Sequence, residues 1–204
     1  MSERFGSKND KRLDFKIIYD LIPADSRVLD LGCGDGTLLE KLKEKNIKAQ
    51  GIEIDYQMVK QAIDKGLNVV QMDLDLELMN YKDASFDYVI LNKTLQATHK
   101  PLNVIKDAAR IGKNVIVSFN NFAYWEVRSQ LFFKGTMPKN KDLPYEWYDT
   151  PNIHLVTIHD FDNFCENNGC KIIKKIFYND EKIVSDFLPN VFSPYALYLV
   201  KKQS

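Results

Sequence analysis

The chain has 204 residues, 45% of them apolar, enough for a substantial core in a single domain spanning 1–204. Lysine plus arginine equals aspartate plus glutamate at 28 each, so no net basic field exists to hold nucleic acid. No apolar run approaches membrane-spanning length, the N-terminal MSERFGSKNDKR has no hydrophobic signal region, and Cys33, Cys165 and Cys170 lack C-x-x-C spacing, which points to reduced cytoplasmic thiols without a zinc site or disulfide framework.

In chain order, helices and strands alternate. Residues from about 10 to 22 place Leu13, Ile17, Ile18 and Leu21 on one helical face, and Pro23 stops the run. Val28, Leu29 and Leu31 form a short buried strand that ends in the glycine-rich turn Gly32-Cys33-Gly34-Asp35-Gly36. Thr37 then opens a helix with Leu38, Leu39 and Leu42 at helical spacing. A second strand is predicted over Lys48–Glu53, and Asp55 caps a helix whose Met58, Val59, Ala62 and Ile63 face inward, with Gly66 as its stop. Strands follow at Leu67–Met72, Phe86–Leu91 and Lys113–Phe119, with a helix over Pro101–Ile111 before the last. Strands separated by short helices predict an α/β fold, a parallel sheet with helices on both faces.

The turn after the first strand carries most of the chemistry. Glycines there leave backbone open to a ligand. The dinucleotide fingerprint is G-x-G-x-x-G, whereas this loop is one residue shorter and is preceded by Asp30. Asp30 and Asp35 would repel a phosphate, but a carboxylate can pair with an ammonium group. S-adenosylmethionine meets those demands, being free of phosphate and carrying both a sulfonium and an ammonium. D-x-G-x-G-x-G after a buried strand resembles the first motif of Rossmann-like S-adenosylmethionine-dependent methyltransferases. The alternatives are a glycine turn with no ligand and a dinucleotide site.

Ligands of open α/β sheets lie at the carboxyl ends of the strands. There Glu53, about twenty residues beyond the loop with Ile54 beside it, can accept both ribose hydroxyls, or be a charge at an exposed strand end. Asp73 can accept from the adenine amino group with Leu74 beside the ring, but Asp73 and Asp75 are equally turn residues. Asn92, just past the fourth strand, would face the methionine end. With Asp30, Gly32, Cys33, Gly34 and Gly36, these form the expected cofactor site.

Residues 120–152 break the alternation and are crowded with aromatics. Phe122, Tyr124, Trp125, Phe132 and Phe133 fall in one amphipathic stretch that Gly135 ends, and Tyr145, Trp147 and Tyr148 in a second. They form either a lid or docking surface near the cofactor mouth, or apolar packing onto the sheet. Regularity returns with a capping box at Thr157 and Asp160, a helix carrying Phe161, Phe164 and Cys165, and strands at Cys170–Tyr178 and Tyr195–Lys201. That pair is expected to close a mostly parallel, seven-stranded sheet with an antiparallel edge strand.

End to end, the chain resembles the methionine biosynthesis protein MetW family. The segments that carry this are RVLDLGCGDGTLL (27–39), GIEID (51–55), DLD (73–75), FDYVILNKTLQAT (86–98), VSF followed by N and NF (117–122), and LPYEWYDTPNIHL (143–155). The resemblance implies a Rossmann-like methyltransferase fold and a role in methionine synthesis with a homoserine O-acyltransferase as partner. It implies no secure methyl acceptor.

The residues themselves leave open whether a small-molecule acceptor is methylated. Methyl transfer from a sulfonium needs in-line positioning, and a general base helps when the acceptor is a hydroxyl or protonated amine. His99, His154 and His159 are the candidate bases, each with a surface or capping role as the alternative. No N-P-P-Y-like sequence follows the fourth strand, no acidic and histidine cluster has metal-ligand spacing, and Arg12, Arg128, Glu146 and Asp149 are polar candidates for the mouth.

Overall fold

The computed structural model describes residues 12–141 and 143–203. The N-terminal segment read for a signal sequence and the first residues of the first predicted helix lie outside them. Seven helices are described: α1 Leu13–Leu21, α2 Thr37–Glu44, α3 Tyr56–Asp64, α4 Pro101–Ile111, α5 Trp125–Lys134, α6 Ile158–Asn167 and α7 Pro189–Phe192. The strands are β1 Arg27–Leu31, β2 Lys48–Glu53, β3 Val69–Gln71, β4 Phe86–Asn92, β5 Gly112–Asn120, β6 Cys170–Tyr178 and β7 Tyr195–Lys202. They form one sheet in the order β3-β2-β1-β4-β5-β7-β6. The first five are mutually parallel, and β7 runs antiparallel to both β5 and β6.

The sheet is buried on two faces because successive side chains of a strand point opposite ways. Leu29 and Leu31 of β1 join Val104 and Ile105 of α4 and Phe161 of α6 on one face. Val28 joins Phe15 and Ile18 of α1 and Leu38 and Leu42 of α2 on the other. Strand order reverses between β1 and β4, and the turns after β1, β2, β3 and β4 gather at that one end, where open sheets hold ligands.

The caps form as expected. Asp55 accepts from the N–H groups of Gln57 and Met58 at 2.7 and 3.1 Å, and Thr157 and Asp160 make the full capping box. Two expectations need correction. In α3 only Val59 and Ala62 are buried, while Met58 and Ile63 are exposed. This helix packs on the narrow end of the sheet, so a two-residue stripe suffices. The third strand is likewise only Val69–Gln71, shorter than Leu67–Met72, because it pairs with β2 alone at the sheet edge.

Candidate functional site

The turn after β1 is shaped by close approach. A Cβ on Gly32 would stand 2.5 Å from Thr94 Cγ2, so the first position admits only glycine without rearrangement. Gly34 has φ +56 with open space above it, which is where a ligand can approach the backbone. Most of the turn's own N–H groups are already committed. Gly32 and Cys33 both donate to the Ile52 carbonyl, at 2.8 and 3.0 Å, and Gly36 donates to Cys33 O at 3.1 Å. Gly34 donates to Glu53 Oε2 at 2.9 Å, and Thr37 N–H, at the start of α2, is capped by Asp35 at 3.1 Å. A phosphate needs such donors and meets carboxylates instead.

A cleft of about 330 Å³ opens beside this turn, lined on one side by Gly32, Glu53, Ile54, Asp73 and Leu74. Glu53 is held firmly, for Ile54 and Asp55 N–H also donate to its Oε1 at 2.8 and 3.0 Å. Three of its roughly four lone-pair positions are thus occupied, so one further donor finds an open position on Oε2 and a second would share or displace the Gly34 contact. Ile54 is 61% exposed, an apolar side chain left bare at the cleft. Asp73 Oδ1 accepts from Asp75 N–H at 2.8 Å, which makes it a turn residue as well as a cleft residue.

Asp30 lies beneath the turn at only 2% exposure, and its Oδ1 has no hydrogen-bond partner. Burial, reinforced by the nearby Glu53 charge and opposed by Arg12, pushes its carboxyl up to about 7. A buried acceptor left without a donor is costly, and a cationic donor from a ligand is the group that would relieve it.

Other site candidates separate from this group. Cys33 packs its side chain against Leu39, Val59, Ala62 and Val69, and burial together with the charges of Asp30 and Glu53 raises its thiol well above the ordinary range. Only its backbone belongs to the turn. Asn92 does not line the cleft. Its Nδ2 donates to Asp14 at 3.0 Å, and its Oδ1 accepts from Ser118 Oγ at 2.5 Å. Asp14 is buried too, yet hydrogen bonds from Arg12 and Asn92 outweigh the desolvation and hold its carboxyl below the usual value.

The far wall of the cleft consists of Asp75, Thr94, Ala97, Thr98 and His99. Of these, only Asp75 and His99 stand out by type. Asp75 accepts from the N–H groups of His99 and Lys100, both at 2.8 Å, and so pins the entry to α4. Thr94, Ala97 and Thr98 carry no spacing signal, because they meet the cleft only through the short 3-10 turn Leu95–Ala97. His154 and His159 do not line it. Arg128 is not a mouth residue: its guanidinium donates to the carbonyls of Ala123 and Asn190. Glu146 pairs with Lys139.

The two ends of the aromatic-rich segment, at Asn120 and at Ile153 and His154, are joined through Gln96, within the 3-10 turn behind this wall. Gln96 exchanges side-chain hydrogen bonds with the Asn120 backbone, and its carbonyl accepts from Ile153 and His154 N–H at 2.8 and 3.0 Å. The TLQAT and LPYEWYDTPNIHL segments therefore meet at Gln96. Most of their aromatic neighbours face outward, with Phe132, Phe133, Trp147 and Tyr148 between 72% and 82% exposed. No helix among the described residues is long and apolar enough to cross a membrane, and no group of three metal-ligating side chains was found among them.

The sheet order, the glycine turn at its switch point and the acidic strand ends define the Rossmann-like methyltransferase fold. A SAM dependent methyltransferase from Archaeoglobus fulgidus superposes with a TM-score of 0.72 at 20% identity, covering 97% of this chain and 95% of that one. Residues 12–200 match methionine biosynthesis protein MetW, and the chain belongs to that family. The bifunctional methionine biosynthesis protein MetXA/MetW of Rhodopirellula baltica is 30% identical over 94% of this chain. The putative methyltransferase YqeM of Bacillus subtilis is 24% identical over 74% of it. The chain spans 33% of the first relative's length and 65% of the second's.

Proposed function

We propose that the chain binds S-adenosylmethionine in this cleft and serves methionine biosynthesis as the partner of a homoserine O-acyltransferase. The observation that carries the cofactor reading is the buried, unpartnered Asp30 oxygen beneath a glycine turn most of whose N–H donors are spent. That combination suits an ammonium-bearing, phosphate-free nucleoside and disfavours a dinucleotide. Asp30 would balance the cationic methionine end, and Glu53 would accept from ribose hydroxyls. Asp73 would accept from the adenine amino group, with Ile54 and Leu74 against the ring. Gly32 and Gly34 admit the ligand to the backbone. Bound S-adenosylmethionine supplies a methyl group on a sulfonium, whose departure leaves a neutral thioether.

The partner reading is supported by the Rhodopirellula protein, whose name joins MetXA and MetW in one chain. It is also supported by the outward-facing aromatics of α5 and of residues 145–148. A second reading, methyl transfer to a small metabolite, is favoured by His99, the one histidine that lines the cleft.

Calorimetric titration of S-adenosylmethionine, with and without the acyltransferase, tests both. Saturable binding that is lost in Asp30→Ala and Glu53→Ala is the expected result, and absence of binding by the wild type refutes the cofactor reading. A change in affinity on adding the acyltransferase must be matched by an equal change in acyltransferase affinity on adding S-adenosylmethionine. Consumption of the methyl donor that depends on an added acceptor and on His99 would favour the second reading.

A further inference from the structure

Two of the three cysteines meet where α6 gives way to β6. Cys165 stands in the last turn of α6 and Cys170 opens β6, with Asn168 and Gly169 reversing the chain between them, the latter at φ +66. Both side chains join the same core cluster, and the Cys165 thiol hydrogen-bonds to that of Cys170, so the two sulfurs lie side by side. Both are free thiols. No group of three metal-ligating side chains includes them among the described residues, which leaves the pair short of a zinc site.

The two thiols are unequal. Cys165 is 1% exposed, whereas Cys170 keeps 7% and lines a cavity of about 500 Å³ together with Lys106, Arg110 and Lys202. Arg110 is engaged by Asp83 and Asp107, at 2.8 and 2.9 Å. Lys106 instead acts on Cys170. The hydrogen bond from Cys165, and then the Lys106 charge, outweigh burial and draw the Cys170 thiol below its ordinary range. Donation to Cys170, followed by burial, raises that of Cys165 and keeps it protonated. Asp162 and Lys175, the charges nearest Cys165, pair with each other at 2.7 Å. A sulfur that ionises at the edge of a cation-lined cavity, with a second thiol directly behind it, has the layout of an attacking and a resolving cysteine.

We infer that Cys170 and Cys165 form a hydroperoxide-sensitive dithiol that closes to an intramolecular disulfide. The Cys170 thiolate attacks the terminal oxygen of a hydroperoxide. The O–O bond breaks, the sulfur becomes a sulfenic acid, and the alkoxide or hydroxide released takes up the proton that Cys170 had lost. Cys165 then attacks the Cys170 sulfur. The S–O bond breaks, the departing hydroxide takes the Cys165 proton and leaves as water, and the S–S bond forms. Two thiols and one hydroperoxide thus give one disulfide, one alcohol or water, and one further water; the sulfurs are oxidised and the peroxide oxygen is reduced. A dithiol reductant reverses the change by exchange. None of this draws on the cofactor reading above.

The test exposes the reduced full chain to hydrogen peroxide, blocks remaining thiols with iodoacetamide in urea, and maps the peptides by mass. Glu166 lies between the two cysteines, so cleavage after glutamate leaves two peptides joined only by the disulfide. The expected result is a Cys165–Cys170 link that dithiothreitol removes and that forms at least about tenfold faster than Cys33 is oxidised. In Cys165→Ala, dimedone should trap a sulfenic acid on Cys170; in Cys170→Ala, Cys165 should stay alkylatable at the same dose. The inference is overturned if wild-type Cys165 and Cys170 both remain alkylatable at doses that oxidise Cys33. It is equally overturned if Cys170 advances to sulfinic acid without the link, or if the only disulfides formed join two chains. Those three outcomes are read on the wild type, so they decide the matter whether or not the alanine variants fold.

Discussion

Replacing Asp30 with asparagine should stabilise the ligand-free protein above neutral pH while weakening its hold on S-adenosylmethionine. Asparagine keeps the shape of the protonated carboxyl and removes its option to ionise. In the folded chain that carboxyl has moved from an ordinary 3.8 up to about 7, chiefly through burial and then through Glu53. The displacement is about three units at about 1.4 kcal/mol each, on the order of 4 kcal/mol of stability forfeited by the wild type above pH 7. Because the folded pKa is raised, the folded state binds the extra proton. Wild-type stability from this group is therefore highest below 3.8, falls as pH rises from 3.8 to about 7, and is level beyond. Urea unfolding followed by circular dichroism should give curves for the two proteins that coincide near pH 4 and diverge toward pH 8, with the variant the more stable. Parallel pH profiles, or a variant less stable at pH 8, would refute the assignment of a buried carboxyl whose Oδ1 lacks a donor. Titrated with S-adenosylmethionine, the wild type should bind more tightly as pH passes 7, and the variant should show no such rise.

Gly32→Ala would meet Thr94 at 2.5 Å in a backbone at φ +79. The expected loss is about 1–2 kcal/mol from the left-handed conformation and about 1–3 kcal/mol from overpacking, of which Thr94→Ala should recover only the second part in denaturant unfolding. Trp147, 72% exposed, should be replaceable by alanine within about 0.5 kcal/mol of stability, yet the variant should bind the acyltransferase more weakly in a pull-down titration. Iodoacetamide mapped by peptide mass should label Cys170 before Cys33. A hydrogen bond from Cys165 lowers the Cys170 thiol, whereas burial, with Asp30 and Glu53, raises that of Cys33. Labelling in the opposite order would contradict both directions.

Much of the site was legible because it rests on local chemistry. A glycine turn after a buried strand, an acidic residue ending the next strand, and Asp55 ahead of α3 are read from neighbours in sequence, and Glu53, Ile54, Asp73 and Leu74 do share one cleft with Gly32. Asn92 and Cys33 show the limit. Position after a strand puts a residue at the right end of the sheet, but whether its side chain meets the cleft depends on what the neighbouring strand and helix offer. Asn92 is drawn away by Asp14 of α1 and Ser118 of β5, and Cys33 is folded under by Leu39 and Gly51. Arg128 is similar, bent back onto carbonyls that no spacing rule foretells.

By itself the sequence determined the alternation of helices and strands, the caps, the glycine turn and the family, since each is written in residues a few positions apart. Tertiary structure decided which aromatics of residues 120–152 stay exposed. It also decided that most of the turn's N–H groups are consumed while the Asp30 Oδ1 beneath them is left without a donor. Burial and hydrogen-bond satisfaction are set by groups that arrive from distant strands, as the Ile52 carbonyl does at Gly32 and Cys33, and only the assembled sheet brings them together.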